Sequence, residues 1–298
     1  MSMESGLRIQ HNVSAMYAHR QLTLTNFRIN NSMEKLSSGY RINRAADDAA
    51  GLAISEKLRT QINGLDQASR NIQDSISLIQ TAESGLEELH SILQRMRTLA
   101  VQSSNDTLID SDRAFIQLEI TQLLCEIDRM QTGVQFNTKL LLTGVYGNPA
   151  SVDPSTGASG PASLIFHVGA NMNQTFSVTI SSFSTTGMNI DTLGDGTTGF
   201  TVATRAQAES AIGLLSAAIN QISEQRAQLG AVQNRLEHTF NFVLIAKENL
   251  QSAESRIRDV DLAAEMVTFT KEQIMMQAGQ AMLSQANLRP QNVLQMLQ

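Results

Sequence analysis

The sequence predicts a mainly α-helical protein: a long coiled-coil-like helix bundle with paired terminal helices and a small β-hairpin-rich excursion. Three observations carry this prediction. Apolar residues recur at every seventh position along two long stretches, both ends of the chain are amphipathic, and the composition turns to Gly, Ser and Thr only between about residues 143 and 204. A 3.5-residue apolar period keeps one seam of a helix facing a partner helix.

The first stretch after the opening is an amphipathic helix from Val13 to Leu36. Val13, Tyr17, Leu24 and Phe27 form one apolar line, and Leu22, Ile29, Met33 and Leu36 form a second. Two lines on one helix call for more than one partner. The longest repeat follows. Leu58, Leu65, Ile72, Ile79, Leu86, Leu93 and Ala100 step by sevens, with Ile62, Ile76, Ala82, Leu89 and Met96 beside them. At ~1.5 Å per residue this helix is roughly 65 Å long.

A third helix is expected from about Ser111 to Met130, capped by Asp110 or Ser111, with Phe115, Leu118, Ile120, Leu123, Leu124 and Ile127 as its apolar face. In the Gly/Ser/Thr-rich segment, 164–168 and 176–180 read as two short strands, and 169–173 supplies turn chemistry. The segment is expected to face outward and to add little to the helical core.

The second repeat runs Leu215, Ile222, Leu229, Leu236, Val243, Leu250 and Ile257, supported by Ile212, Ile219, Val232 and Phe240. Arg226 sits on this seam and must either snorkel to its edge or pair with a carboxylate. The register then slips by three residues, and Val260, Val267, Ile274, Ala281 and Leu288 continue the sevens. Such a slip lets a long helix change neighbours. The chain thus divides into residues 1–45 and 253–298 as the halves of an inner helical layer, 46–142 and 205–252 as an outer helical body, and 143–204 as a short β-rich segment. Residues 1–6 match nothing in the helical pattern and receive no function.

Composition excludes several classes. A net charge of −6 with scattered Lys and Arg argues against nucleic-acid binding. No run of 18 apolar residues exists to span a membrane, and the N-terminal stretch lacks a secretory apolar region because His11, His19 and Arg20 interrupt it. The single Cys125 cannot form an intrachain disulfide and reads as a small apolar residue in a helix. There is no Gly-rich phosphate loop, no His-Glu-x-x-His pair and no Gly-x-Ser-x-Gly elbow. Asp47 and Asp48, beside Arg41 and Arg44, suit capping and ion pairing rather than acid–base chemistry. No catalysis, cofactor or metal is expected.

Several longer motifs carry a family resemblance. Residues 36–43 (LSSGYRIN) and 45–54 (AADDAAGLAI), the opening 8–12 (RIQHN), then 93–97 (LQRMR) with 99–103 (LAVQS), and 135–137 (QFN) are similar to the N-terminal half of bacterial flagellins. Residues 253–261 (AESRIRDVD) and 281–287 (AMLSQAN) are similar to the C-terminal half. The resemblance covers roughly residues 8–145 and 205–298. One departure is that Leu7 precedes Arg8, where the family usually starts with Met. The block from Arg44 to Gly51 favours flagellin over the related hook–filament junction proteins, and neither an adhesin domain nor a protease insert is visible in the middle.

The resemblance implies a subunit that polymerises into a flagellar filament, external rather than periplasmic, after export by the flagellar type III system. The implied polymer contacts are Val13, Leu24, Phe27, Leu36, Val267, Ile274 and Leu288. The implied partners are further copies, an export chaperone on the C-terminal helix, and hook–filament junction and cap proteins. The family's long-helix motif also implies binding to the flagellin-sensing Toll-like receptor through Gln94, Arg95 and Leu99, with Glu119 on the next helix; Thr98 stands where the family usually has Glu.

Overall fold

The computed structural model describes residues 11–146, 163–190 and 199–296. Five helices dominate: α1 (Val13–Ser38), α2 (Ala49–Ser103), α3 (Asp110–Gly133), α4 (Arg205–Arg258) and α5 (Leu262–Met296). Two antiparallel hairpins complete the described elements: β1 (Gln135–Phe136) with β2 (Lys139–Leu140), and β3 (Leu164–His167) with β4 (Thr175–Val178). The chain forms two compact units, one of residues 1–60 and 248–298 and one of residues 61–247. The division falls inside α2 and α4, not at 45/46 and 252/253 where the sequence suggested it. The expected lead, residues 1–6, lies outside the described residues.

The larger unit is built on the two heptad repeats. Ile72, Ile79, Leu86, Leu93 and Ala100 of α2 are buried with Leu215, Ile222, Leu229, Leu236 and Val243 of α4. Lys247 meets Asp66, Arg226 lies 3.8 Å from Glu83, and Arg97 donates to Ser216 at 3.3 Å. Earlier residues of α2 thus pair with later ones of α4, so the helices run antiparallel. Arg226 takes the pairing option that its seam position left open.

Helix α3 departs from its expected face. Ile116, Ile120 and Ile127 are buried, whereas Phe115 and Leu118 are exposed. Its start is also uncapped by Asp110 or Ser111: Ile109 is the N-cap residue, and Asp112 accepts its backbone N–H at 3.4 Å. The buried Arg113 braces the turn from α2 instead, donating to the Ser103 carbonyl (3.0 Å), the Asn105 carbonyl (3.2 Å) and Asp110 (2.8 Å). Cys125 is exposed on this helix rather than packed within it.

The middle segment is not a mere excursion. Leu164, Phe166, Val178, Ile180, Phe183, Met188, Ile190, Phe200 and Val202 are all buried in the same core as the helices. Side-chain amides stitch it down. Gln117 donates to the Phe200 carbonyl (3.0 Å) and accepts from the Val202 N–H (2.7 Å); Gln225 accepts from Ser181 N–H and donates to the Thr179 carbonyl, both at 3.3 Å. These amides satisfy backbone groups that burial would otherwise strand. The β1–β2 turn, Asn137–Thr138, has two positive φ angles, which suit the right-handed twist of a two-residue hairpin.

In the smaller unit, α1 and α5 run antiparallel. Asn12 caps α1 by accepting from Ala15 N–H at 3.0 Å and reaches across to donate to the Ala286 carbonyl at 2.8 Å; Arg28 lies 3.5 Å from Glu272. Two connectors join here. After α1, Gly39 takes a left-handed φ of 73°. Arg41 N–H then donates to the Arg258 carbonyl (2.7 Å), and Val260 N–H donates to the Gly39 carbonyl (3.0 Å). The register slip is therefore a break between two helices: the chain leaves α4, pairs with the α1–α2 connector and restarts at Asp261, whose carboxylate accepts from Ala263 N–H (2.9 Å) and Ala264 N–H (3.1 Å). Asp48 likewise caps α2 through Gly51 N–H at 2.9 Å, and Asp47 accepts from the backbone of Arg44 and Asn43 at 2.9 and 3.1 Å. Asp48 caps, as expected, and Asp47 closes the turn before it.

Arg258 locks this joint. Its guanidinium lies 4.7 Å over the Tyr40 ring and donates to Glu56 at 2.8 Å. The Arg258 hydrogen bond holds the Glu56 carboxyl below its ordinary value of 4.5. A depressed carboxyl stabilises the fold above the unfolded pKa, and that contribution disappears as pH falls through the lower folded value. An NMR titration is expected to place the Glu56 midpoint below 4.5, and Arg258→Ala is expected to return it towards that value. An unmoved midpoint in the variant would remove Arg258 as the cause.

Candidate interaction surfaces

The two apolar lines on each terminal helix are resolved by the pairing. On α1, Ala15, Ala18, Leu22, Thr25, Ile29, Ser32 and Leu36 are the inward residues, buried or half-buried. On α5 they are Glu265, Phe269, Glu272, Met276, Gly279, Leu283 and Ala286. Both sets alternate steps of three and four, so both are heptad seams. They are weak seams in composition, with Thr, Ser, Gly and two Glu among them. The small residues allow close approach: a methyl group on Gly279 would sit 3.2 Å from Leu22.

The stronger lines face away. Val13, Tyr17, Leu24 and Phe27 of α1 are exposed, as are Val267, Ile274 and Leu288 of α5. Ala281 is exposed with them. Of the seven residues expected to make polymer contacts, six are thus on the surface and Leu36 is half-buried in the α1–α5 seam. Met33, grouped with Leu36 by spacing, points outward instead. Single chains rarely expose contiguous large apolar side chains in this number unless the surface meets another molecule.

A second surface lies on the larger unit. Arg95 donates to Glu119 through Nε (2.9 Å) and Nη2 (2.7 Å), both side chains remaining accessible. Gln94 is one position away on α2 and approaches His90 at 2.8 Å. The fourth expected contact is corrected: Leu99 is 3% exposed and belongs to the core beneath the patch, because its position on α2 places it against the buried cluster. Among the described residues, no group of His, Cys, Asp or Glu could hold a metal, and no helix is long and apolar enough to cross a membrane.

Relatives agree with this architecture. Residues 9–146 match the bacterial flagellin N-terminal helical region, and residues 212–297 match the bacterial flagellin C-terminal helical region. The chain is 50% identical to a flagellar filament 33 kDa core protein of Treponema phagedenis, across 97% of this chain and 99% of that one. It is also 50% identical to a flagellin of Bacillus subtilis, across 98% and 100%. A putative flagellar hook-associated protein from Vibrio parahaemolyticus shares the fold at a TM-score of 0.55 and 15% identity, covering 72% of this chain and all of that one. The chain belongs to the bacterial flagellins, a family of structural filament proteins and not of enzymes.

Proposed function

We propose that this chain is the repeating subunit of an external flagellar filament, held together in its inner layer by the outward lines of α1 and α5. One observation carries the reading: the more apolar heptad line on each terminal helix is the one without an intrachain partner. A second copy covering those lines would bury about 1.5–3 kcal/mol per large side chain. A subunit with unlike sticky faces adds head to tail, and a rotation that does not close yields a helical polymer. Before assembly, the outward line of α5 offers a groove-binding export chaperone its anchors, which suits passage through the flagellar type III system. The filament ends would meet junction and cap proteins through the same faces. Negative-stain microscopy of concentrated protein is expected to show filaments; monomers alone at every concentration would overturn the reading.

A second role is supported by the accessible Gln94, Arg95 and Glu119 cluster: recognition by the flagellin-sensing Toll-like receptor. Arg95 offers a directional fork of donors, and Arg is enriched where interfaces concentrate binding energy. The Arg95–Glu119 pair must open or accept a third partner to serve there. Purified monomer is expected to activate receptor-bearing cells, and Arg95→Ala is expected to weaken activation at least roughly tenfold, as for loss of an interface hot spot. Silence from the unmodified monomer would end the receptor reading, and an undiminished Arg95→Ala response would remove Arg95 from it.

A further inference from the structure

Met130 and Met276 are half-buried, Met276 within the α1–α5 seam, and the other methionines of known burial fall into two contrasting environments. Met96 and Met188 are 0% and 2% exposed in the core of the larger unit. Met16 and Met33 stand out from α1 at 66% and 53%, and Met266, Met275 and Met282 stand out from α5 at 48%, 49% and 67%. Met172, in the turn between β3 and β4, is 85% exposed and lies on neither terminal helix. The two helices that carry the face assigned above to subunit contacts are therefore also the part of the described chain where accessible thioethers concentrate. Other exposed residues of these helices, such as Phe27, Ile274 and Leu288, carry no group that peroxide oxidises under mild conditions.

We propose that Met16, Met33, Met266, Met275 and Met282 form an oxidation site that controls assembly: hydrogen peroxide converts their thioethers to sulfoxides in the free subunit, and the oxidised subunit does not polymerise. This inference rests on the filament reading. The sulfur lone pair attacks one peroxide oxygen, the O–O bond breaks, and the second oxygen leaves as water with both peroxide protons. Sulfur loses two electrons and peroxide gains them. The product is a polar S=O acceptor where an apolar side chain was.

The location gives this change its effect. A methionine can adapt its shape to an irregular contact, whereas a sulfoxide needs a hydrogen-bond partner there. Burying such an acceptor without one costs roughly a tenfold rise in the concentration needed for assembly per site. Several sites together abolish assembly at accessible concentrations. Once the polymer has formed, the same sulfurs are covered and peroxide no longer reaches them. Sensitivity is thus confined to the unassembled subunit.

The experiment uses full-length Cys125→Ser protein, because the exposed Cys125 thiol would also react with peroxide. Monomers and preformed filaments are treated with hydrogen peroxide, and oxygen uptake is mapped residue by residue by peptide mass spectrometry. Polymerisation is followed by light scattering and microscopy. In monomers, Met16, Met33, Met266, Met275, Met282 and Met172 are expected to gain oxygen while Met96 and Met188 do not. In filaments, only Met172 of this set is expected to react. Oxidised monomers should fail to polymerise, and methionine sulfoxide reductases should restore assembly. A chain with all five residues changed to Leu should assemble with or without peroxide. Normal assembly of oxidised wild type, equal reactivity of the five sites in filaments, or loss of assembly by the peroxide-treated Leu chain would overturn the proposal. If the Leu chain cannot assemble untreated, the reductase arm decides: failure to recover overturns it. Failure of the untreated Cys125→Ser chain to polymerise, with the unmodified chain failing too, would instead overturn the filament reading itself.

Discussion

Deletion of α5, residues 262–298, is expected to abolish filament formation at every concentration while leaving the larger unit folded. The truncation removes the outward line that includes Val267, Ile274 and Leu288, and it uncovers Leu22 and Ile29 of α1. The larger unit draws its core from residues 72–243 and loses none of it. Its melting transition should therefore stay in place by calorimetry while microscopy shows no polymer. A finer variant separates the outward line from the inward seam. Val267→Asp with Ile274→Asp leaves the α1–α5 seam intact but puts two carboxylates where a neighbour would exclude water. Burying an unpaired charge costs far more than the apolar contact gains. The double variant should remain folded and fail to polymerise. Normal filaments from either variant would place the subunit contacts elsewhere.

Leu86→Ala and Leu229→Ala are each expected to destabilise the larger unit by ~2–5 kcal/mol, because both side chains are fully buried on facing helices and their loss leaves a cavity. For a unit of this size that corresponds to a fall of roughly 4–20 °C in melting temperature. Phe115→Ala and Leu118→Ala are the matched contrast: their side chains are exposed on α3, so a change within about 0.5 kcal/mol is expected. Thermal denaturation of the four variants tests the heptad seam and the revised face of α3 together. Equal losses in all four would return Phe115 and Leu118 to the core, and no loss at Leu86 or Leu229 would break the seam.

The α3 error has a simple origin. At about 100° per residue, Phe115 and Leu118 lie roughly 140–160° around the helix from Ile120, so the helical period itself puts them on the far face from Ile116, Ile120 and Ile127. Gathering every apolar residue of the stretch into one face overlooked that spacing. The middle segment departs from its expected outward place for a different reason. Its apolar residues are diluted by Gly, Ser and Thr, so composition suggests a surface loop. Yet Phe166, Ile180, Phe183, Ile190 and Val202 each reach the helical core, and Gln117 of α3 and Gln225 of α4 hold the segment's backbone at Thr179, Ser181, Phe200 and Val202. Local composition cannot reveal a hydrogen bond supplied from another element.

By itself the sequence determined the helices, the hairpin at 164–178, the heptad lines of α2 and α4, the cap at Asp48, and the family. These rest on periodicity, short-range capping and extended motifs, all of which are local along the chain. Tertiary structure decided which of two apolar lines each terminal helix would turn inward. The sequence showed more apolar lines than one partner could cover, and α1 and α5 pair through positions that include Ala, Thr, Ser and Gly, where backbones can approach closely and Asn12 can cross to Ala286, so the richer lines stay outward. It also turned a three-residue slip into a break, where the chain after α4 pairs its backbone with the α1–α2 connector at Gly39 and Arg41 and α5 restarts beyond Asp261. Choices of this kind depend on what lies opposite a residue, and a single strand of sequence does not contain its own neighbours.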